Sequence, residues 1–255
     1  MQLTPLPALS DNYIWALADD DGARAVFVDP SEPGPVFAAA EAGLQPAGVL
    51  LTHHHGDHIG GVPALLERWP GLPVFAPDDD RIPAGYRRVQ DGEAIDVAGW
   101  RFDVLAVPGH TRSHVAYHGQ GLLFCGDTLF SLGCGRMFEG TAEQMHASLS
   151  RMAALPPETR VCCGHEYTLA NAAFARVVEP GNPALQRRLE EATAMRATGR
   201  PTLPSTLADE RAANPFLRVD SPEVRASVAR ETGRAPANDV DAFAALRRWK
   251  DGFTA

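Results

Sequence analysis

Cations are scarce in this chain, and lysine is nearly absent. Against 32 Asp plus Glu the 255 residues carry 23 Lys plus Arg, and Lys250 is the sole lysine. A net charge of −9 argues against a polyanionic partner, because nucleic-acid binding rests on clustered Lys and Arg. No segment approaches the roughly 18 to 20 apolar residues of a membrane span, and the opening MQLTPLPALSDNYIW has neither a basic n-region nor an apolar h-region. A cytoplasmic protein is therefore expected, with no nucleic-acid and no membrane partner. The four cysteines, Cys125, Cys134, Cys162 and Cys163, lack paired CxxC spacing, and two are adjacent, which is poor geometry for a mutual disulfide. They are expected to be small buried apolar residues in a reducing compartment. A GxSxG elbow, and with it an obvious Ser-His-Asp or Cys-His nucleophile, is also missing.

What the chain has instead is THHHGDHIGG, Thr52 to Gly61. Four histidines and an aspartate crowd together there, a mixture of nitrogen and oxygen donors that suits a zinc-like or iron-like divalent metal. The apolar run Val49-Leu50-Leu51 reads as a buried strand. Extended backbone continuing from it puts residues i and i+2 on one side, so His53 and His55 converge while His54 faces away. Asp57 and His58 follow Gly56, where the chain can turn sharply, and Gly60-Gly61-Val62-Pro63 opens a helix through Trp69. The second donor pair thus approaches from another direction, and two directions imply two metals.

The same arrangement recurs along the chain. Leu3 to Val28 alternates apolar and polar residues around a turn at Asp19-Asp20-Asp21-Gly22, a hairpin that ends at Asp29-Pro30. Asp29 is either a turn-former or a carboxylate that orients a ligand histidine through its other ring nitrogen. Pro35 to Gly43 reads as a helix, making strand, helix, strand, an α/β signature. The strand around Phe102–Val107 leads to Pro108-Gly109-His110, Leu122–Cys125 to Gly126-Asp127, and Val161–Cys163 to Gly164-His165. Ligand sites in packed sheets collect at such strand ends. One metal can take His53, His55 and His110, the other Asp57, His58 and His165, with Asp127 bridging both. His114, His118 and His146 lack the strand-end context.

After His165 the character changes. Helical stretches at Leu169–Val178 and Pro183–Thr198 alternate with Pro- and Gly-rich breaks, with a short strand at Thr202–Pro204. Glu223–Thr232 and Asp239–Trp249 also read as helices, with Asp239 as an N-cap. Residues 1–165 hold 10 Lys plus Arg against 20 Asp plus Glu, whereas residues 166–255 hold 13 against 12. The division expected is an α/β metal domain over 1–165 and a mostly helical substrate-binding domain over 166–255.

THHHGDHIGG matches the HxHxDH motif of the metallo-β-lactamase superfamily. The wider pattern resembles the hydroxyacylglutathione hydrolases, or glyoxalase II enzymes, over nearly the full length. It is carried by Leu9-Ser10-Asp11-Asn12-Tyr13, Pro108-Gly109-His110-Thr111, Gly126-Asp127-Thr128-Leu129-Phe130, Gly133-Cys134-Gly135-Arg136, Gly164-His165-Glu166-Tyr167-Thr168, Asn214-Pro215-Phe216-Leu217-Arg218 and Arg247-Arg248-Trp249-Lys250-Asp251. The resemblance implies a four-layer αββα sandwich with two divalent metals, most simply zinc, with iron or manganese as alternatives, followed by a helical domain that helps hold glutathione.

The family's ligands fall on His53, His55, Asp57, His58, His110, Asp127 and His165, with Asp57 and Asp127 as the catalytic carboxylates. Its substrate contacts fall on Arg136, Phe138, Tyr167, Arg247 and Lys250. Arg136 and Phe138 stand where some members have Lys and Tyr, which keeps the cation and removes a hydroxyl, and position 56, often bulkier, is Gly. The implied reaction is hydrolysis of an S-(2-hydroxyacyl)glutathione thioester, typically S-D-lactoylglutathione, to glutathione and D-lactate by a monomer. The rival readings are a mononuclear iron persulfide dioxygenase, using donors of the His53, His110 and Asp127 type, and a metal-binding scaffold without turnover.

Overall fold

A computed structural model describes residues 1–20 and 24–254. Strands β1 (Gln2–Ala8), β2 (Asn12–Ala18) and β3 (Ala25–Val28) lead through α1 (Pro33–Glu41) to β4 (Pro46–Leu50). The short α2 (Gly56–Ile59) and α3 (Val62–Arg68) precede β5 (Val74–Pro77), β6 (Arg87–Val89), β7 (Ala94–Val97), β8 (Trp100–Ala106), β9 (Val115–Gly119) and β10 (Leu122–Gly126). Next come β11 (Leu129–Phe130), β12 (Gly133–Cys134), α4 (Ala142–Ala153), β13 (Arg160–Cys163), α5 (Thr168–Val178) and α6 (Pro183–Ala197). Then follow β14 (Ser205–Thr206), α7 (Leu207–Ala213), a 3-10 turn at Pro215–Leu217, α8 (Pro222–Thr232) and α9 (Asp239–Gly252). Two compact units result: Met1–Ala106 with Ser113–Gly126 and Cys162–Glu166, and Val107–Arg112 with Asp127–Val161 and Tyr167–Ala255.

In the first unit, one sheet runs β1-β2-β3-β4-β5-β6. Its first three strands are antiparallel and the steps from β3 to β6 parallel. Ile14, Ala16, Phe27, Val49 and Leu51 on one face pack with Val36 of α1 and Val62 and Leu65 of α3. The other face meets a second sheet: Trp15 Nε1 donates to Cys163 O at 2.9 Å, and Tyr117 OH donates to Leu51 O at 2.9 Å. Tyr and Trp can be buried this way because their polar tips find acceptors. An interior strand between helices and a second sheet needs apolar residues on both faces. Accordingly β2 and β3 are buried residue for residue, and the alternation expected over Leu3–Val28 survives only in the edge strand β1. Of the expected turn, Asp21 and Gly22 lie outside the described residues.

The second sheet contains β13-β10-β9-β8-β7, and the first residues of β13 pair with β14 inside the second unit, Val161 opposite Ser205. The strand expected at Thr202–Pro204 is therefore displaced to Ser205–Thr206, as suits a proline, which has no N–H for a ladder.

The helices expected after His165 are present as α5, α6, α8 and α9. Asp239 is the first residue of α9 rather than its cap. Asn238 caps it, with its side chain accepting from Asp241 N at 2.9 Å, because the capping residue needs extended backbone and a short acceptor. Phe174, Phe216 and Phe243 form an aromatic spine, with successive centroids 6.1 and 5.9 Å apart. All four cysteines are buried, and no disulfide joins them. No helix among the described residues is long and apolar enough to cross a membrane.

Candidate metal centre

The first unit brings two donor groups together where β4 and β13 end. His53 Nε2 and His55 Nδ1 stand 3.0 Å apart. Asp57 Oδ2 lies 3.7 Å from His58 Nε2 and 3.5 Å from His165 Nε2, and one ligand atom from each of these three lies within 4.8 Å of the others. The His165 segment comes close because β13 runs beside β10, with Gly164 N donating to Gly126 O. Gly126 has φ +47°, and a Cβ there would meet the His114 ring at 2.9 Å, so this strand end requires glycine.

The other ring nitrogen of three of these imidazoles is engaged by the protein. His58 Nδ1 is 3.0 Å from Asp29 Oδ2, and His165 Nδ1 is 2.8 Å from Asp11 Oδ1. Thr52 Oγ1 donates to Asp29 Oδ2 at 2.7 Å and so accepts from His53 Nδ1 at 3.0 Å. A carboxylate or an already donating hydroxyl can only accept, which puts the proton on each Nδ1 and the lone pair on Nε2. Metal-ligating histidines carry this tautomer and this kind of partner. The donor set therefore fits a divalent cation.

Asp29 resolves as an orienting carboxylate rather than a mere turn residue. It is 4% exposed, adopts φ +52°, and accepts from Thr52 N at 2.8 Å in addition to Thr52 Oγ1 and His58 Nδ1. Its proximity to His53 and His58 does not make it a ligand, because both oxygens already serve these donors.

The neighbouring histidines are accounted for. His54 Nδ1 faces Asp79 Oδ2 at 3.5 Å. The Arg81 guanidinium beside Asp79 holds its carboxyl well below the usual carboxylate range, against the effect of burial. His114 stacks on His53 with centroids 4.6 Å apart. A Cβ at Gly56 would meet nothing within 4 Å, so the departure there opens space without loosening a contact.

The second unit carries the two remaining expected donors, His110 Nε2 and Asp127 Oδ2, 3.5 Å apart. His110 Nδ1 donates to Arg136 O at 2.8 Å, again leaving Nε2 with its lone pair. Arg136 follows the β11–β12 ribbon, which the helices hold in place. Asn214 Nδ2 donates to Gly133 O at 2.9 Å and to Phe130 O at 3.1 Å, and Glu210, fully buried with a carboxyl pushed up by burial, accepts from Leu132 N at 2.8 Å.

The five residues expected to meet substrate all lie in this unit. Arg136 is exposed, its Nε 3.8 Å from Asp251 Oδ1. Phe138 is 64% exposed with its ring edge-on to His110 at 5.2 Å, and half-buried Tyr167 packs on Phe130. Lys250 is half-buried over Phe174 and Phe253; burial, then the charges of Arg247 and Arg136, lower its pKa.

Arg247 stands apart from the others. It shares the helix face of Lys250, as the spacing requires, yet it is 3% exposed. Its Nη1 donates to Cys134 O at 2.8 Å and its Nη2 to Asp251 Oδ1 at 3.0 Å. The spacing assigns a shared face, whereas the depth of each side chain is set by the aromatic spine beneath α9, with Phe216 under the guanidinium at 5.1 Å. Burial pushes the Cys134 thiol up to about 11 despite that guanidinium, so Cys134 is no nucleophile.

Comparison with known proteins gives this geometry its relatives. The profile of the Metallo-beta-lactamase superfamily matches residues 14–165, and that of the Hydroxyacylglutathione hydrolase C-terminus matches residues 166–253. A hydroxyacylglutathione hydrolase of Xanthomonas axonopodis pv. citri (strain 306) is 61% identical over 256 residues, all of both chains. The chain belongs to the hydroxyacylglutathione hydrolase family. A member from Xylella fastidiosa (strain M23) is 57% identical over 99% of this chain and 98% of its own. Among solved structures, ETHE1 from Myxococcus xanthus aligns with a TM-score of 0.66 and 27% identity, covering 99% of this chain and 100% of that one. The fold is accordingly that of the metallo-β-lactamases, mixed sheets with helices and a helical C-terminal region.

Proposed function

We propose that this chain hydrolyses S-(2-hydroxyacyl)glutathione thioesters, typically S-D-lactoylglutathione, to glutathione and a 2-hydroxy acid such as D-lactate, in methylglyoxal detoxification. The carrying observation is the set of imidazoles whose Nδ1 protons are committed to protein acceptors, together with full-length identity to family members. In this reading His53, His55 and His110 would hold one divalent ion and Asp57, His58 and His165 a second, with Asp127 as the carboxylate common to both. Zinc is the simplest occupant, while iron or manganese would accept the same donors. Residues 1–165 then form the metal domain and 166–255 the substrate domain of a cytoplasmic monomer.

When bound, such ions lower the pKa of a coordinated water from about 15.7 to about 7, which supplies hydroxide at neutral pH. The chain's own side chains do the rest. Asp57, 42% exposed in its side chain, orients the attacking water by accepting its hydrogen. Attack at the thioester carbonyl carbon forms the new C–O bond, and the C–S bond breaks with its electron pair leaving on sulfur. A thiol pKa of about 8.5 lets the thiolate depart without a dedicated acid. Arg136, Tyr167 and Lys250 bind the glycine carboxylate of glutathione by charge-assisted bonds. Arg247 adds its charge from behind, and Phe138 covers His110 with an apolar edge where some relatives offer a hydroxyl.

The test is hydrolysis of S-D-lactoylglutathione by purified protein, with and without chelator, alongside a metal count. One iron with oxygen consumption in place of thioester cleavage would overturn the reading. Lys250→Ala is expected to raise KM about 10- to 100-fold, the worth of a hydrogen bond to a charged group, with kcat changed less than about threefold. Steady-state kinetics check it, and a collapse of kcat at constant KM would remove Lys250 from the binding role.

A further inference from the structure

The turn between β1 and β2, with the first residue of β2, reaches both chain segments that supply Asp57 and His165, and the side chains of Asp11 and Asn12 bond to them directly. The Asn12 amide, 5% exposed, donates through Nδ2 to Asp57 O at 2.9 Å and to Asp57 Oδ2 at 3.4 Å. Asp11 Oδ1 takes His165 Nδ1 at 2.8 Å. Backbone bonds seat the turn beside the second segment: Tyr13 N donates to Gly164 O and Glu166 N to Asp11 O, both at 2.8 Å, and Asn12 bridges to His165.

The turn itself is rigid. The β1–β2 ladder is paired from Gln2 opposite Ala18 to Ala8 opposite Asn12, Leu9 is held at φ +50°, and Leu9 N donates to Glu32 Oε1 at 2.6 Å. Asp57, by contrast, sits in α2, a helix of four residues that is too short to hold its own geometry.

We propose that Asp11 and Asn12 are positioning residues for the metal position formed by Asp57, His58 and His165, and not for the one that includes His53 and His55. The inference rests on the two-metal reading. Asn12 fixes the carboxylate of Asp57 against a rigid hairpin, and Asp11 fixes the ring of His165. The two oxygen and nitrogen donors are therefore preset at the distance that one ion bridges. His53 takes a support on another chain segment, the Thr52 hydroxyl. The two positions thus have separable affinities.

The experiment compares the purified holoenzyme with Asn12→Ala and Asp11→Ala by metal count and by titration with a competing chelator. Both variants are expected to bind one of the two ions about 10- to 100-fold more weakly, the usual effect of losing an outer partner of a ligand, and to hold the other at wild-type affinity. Tyr13→Phe removes the tyrosine hydroxyl's bond to Glu166 Oε2 at 2.8 Å while keeping the ring and the backbone bonds of the turn, and is expected to keep both ions. Asp11→Asn keeps the shape and the backbone bonds and is expected to weaken the same single ion by less, so the comparison stands even where an alanine variant folds poorly.

Unchanged affinity for both ions in the Asn12 and Asp11 variants would overturn the proposal. So would equal weakening of both ions, or the same loss in Tyr13→Phe. A wild-type chain that binds a single ion sinks the two-metal reading, and this assignment with it, before any variant is compared.

Discussion

Asp57→Ala is expected to bind one metal ion in place of two and to lose about three orders of magnitude in kcat/KM. The magnitude is that of the several kcal/mol a bound cation contributes at a reacting centre. Asp57 is the only carboxylate in the group with His58 and His165. Alanine therefore leaves two imidazoles and no carboxylate that belongs to this position alone. The fold should be unaffected, because the side chain is 42% exposed and such substitutions usually fall within about 0.5 kcal/mol. Metal analysis and steady-state kinetics on one preparation check both parts. A variant that keeps two ions and full turnover would end the ligand role of Asp57.

Asp29→Ala is expected to destabilise the protein by about 3 to 5 kcal/mol. Removing one partner of a buried charged network leaves the others without an acceptor, and here these are Thr52 N, Thr52 Oγ1 and His58 Nδ1. Alanine also adds strain in the left-handed backbone at φ +52°, about 1 kcal/mol or more. Asp29→Asn separates the two contributions, since Asn tolerates that backbone and loses mainly the hydrogen bonds. The readout is the urea midpoint with the slope held constant. A loss below about 1 kcal/mol in the alanine variant would show that Asp29 does not support the histidine loop.

Much of the arrangement was legible in the order of residues. Val49-Leu50-Leu51, Leu122–Cys125 and Val161–Cys163 read as buried strands because they are short apolar runs that lead into the histidine cluster or into Gly and a donor, and they are found as β4, β10 and β13. The helix that begins at Pro183 carries its own punctuation, proline in its first turn and glycine beyond its last, while the one around Leu169 is closed by Pro180-Gly181; they are found as α6 and α5. The helix Ala142–Ala153 was harder to see. Its capping box, Thr141 with Gln144, lies in a polar stretch whose apolar residues have no strong run. The helix Leu207–Ala213 is similarly short and follows a proline-rich connection.

At the site the division is sharper. HxHxDH and the repeated strand-end donors name the residue types and their spacing, since convergence of His53 and His55 follows from extended backbone alone. What reached beyond local order was the support of each ring. Asp11 serves a histidine 154 positions away, Asn12 an aspartate 45 away, and Asp29 a histidine 29 away, and no periodicity links such positions. Arg136 illustrates the same limit, for its backbone carbonyl rather than its charge holds His110.

Which donors this protein possesses, and on which strand ends, is a property of one-dimensional pattern, because alternation and glycine act within a few residues. Which nitrogen each histidine offers, and how deeply Arg247 sits relative to Lys250, depended on the packed chain. Hydrogen-bond partners and burial are decided by neighbours in space, and folding alone chooses those.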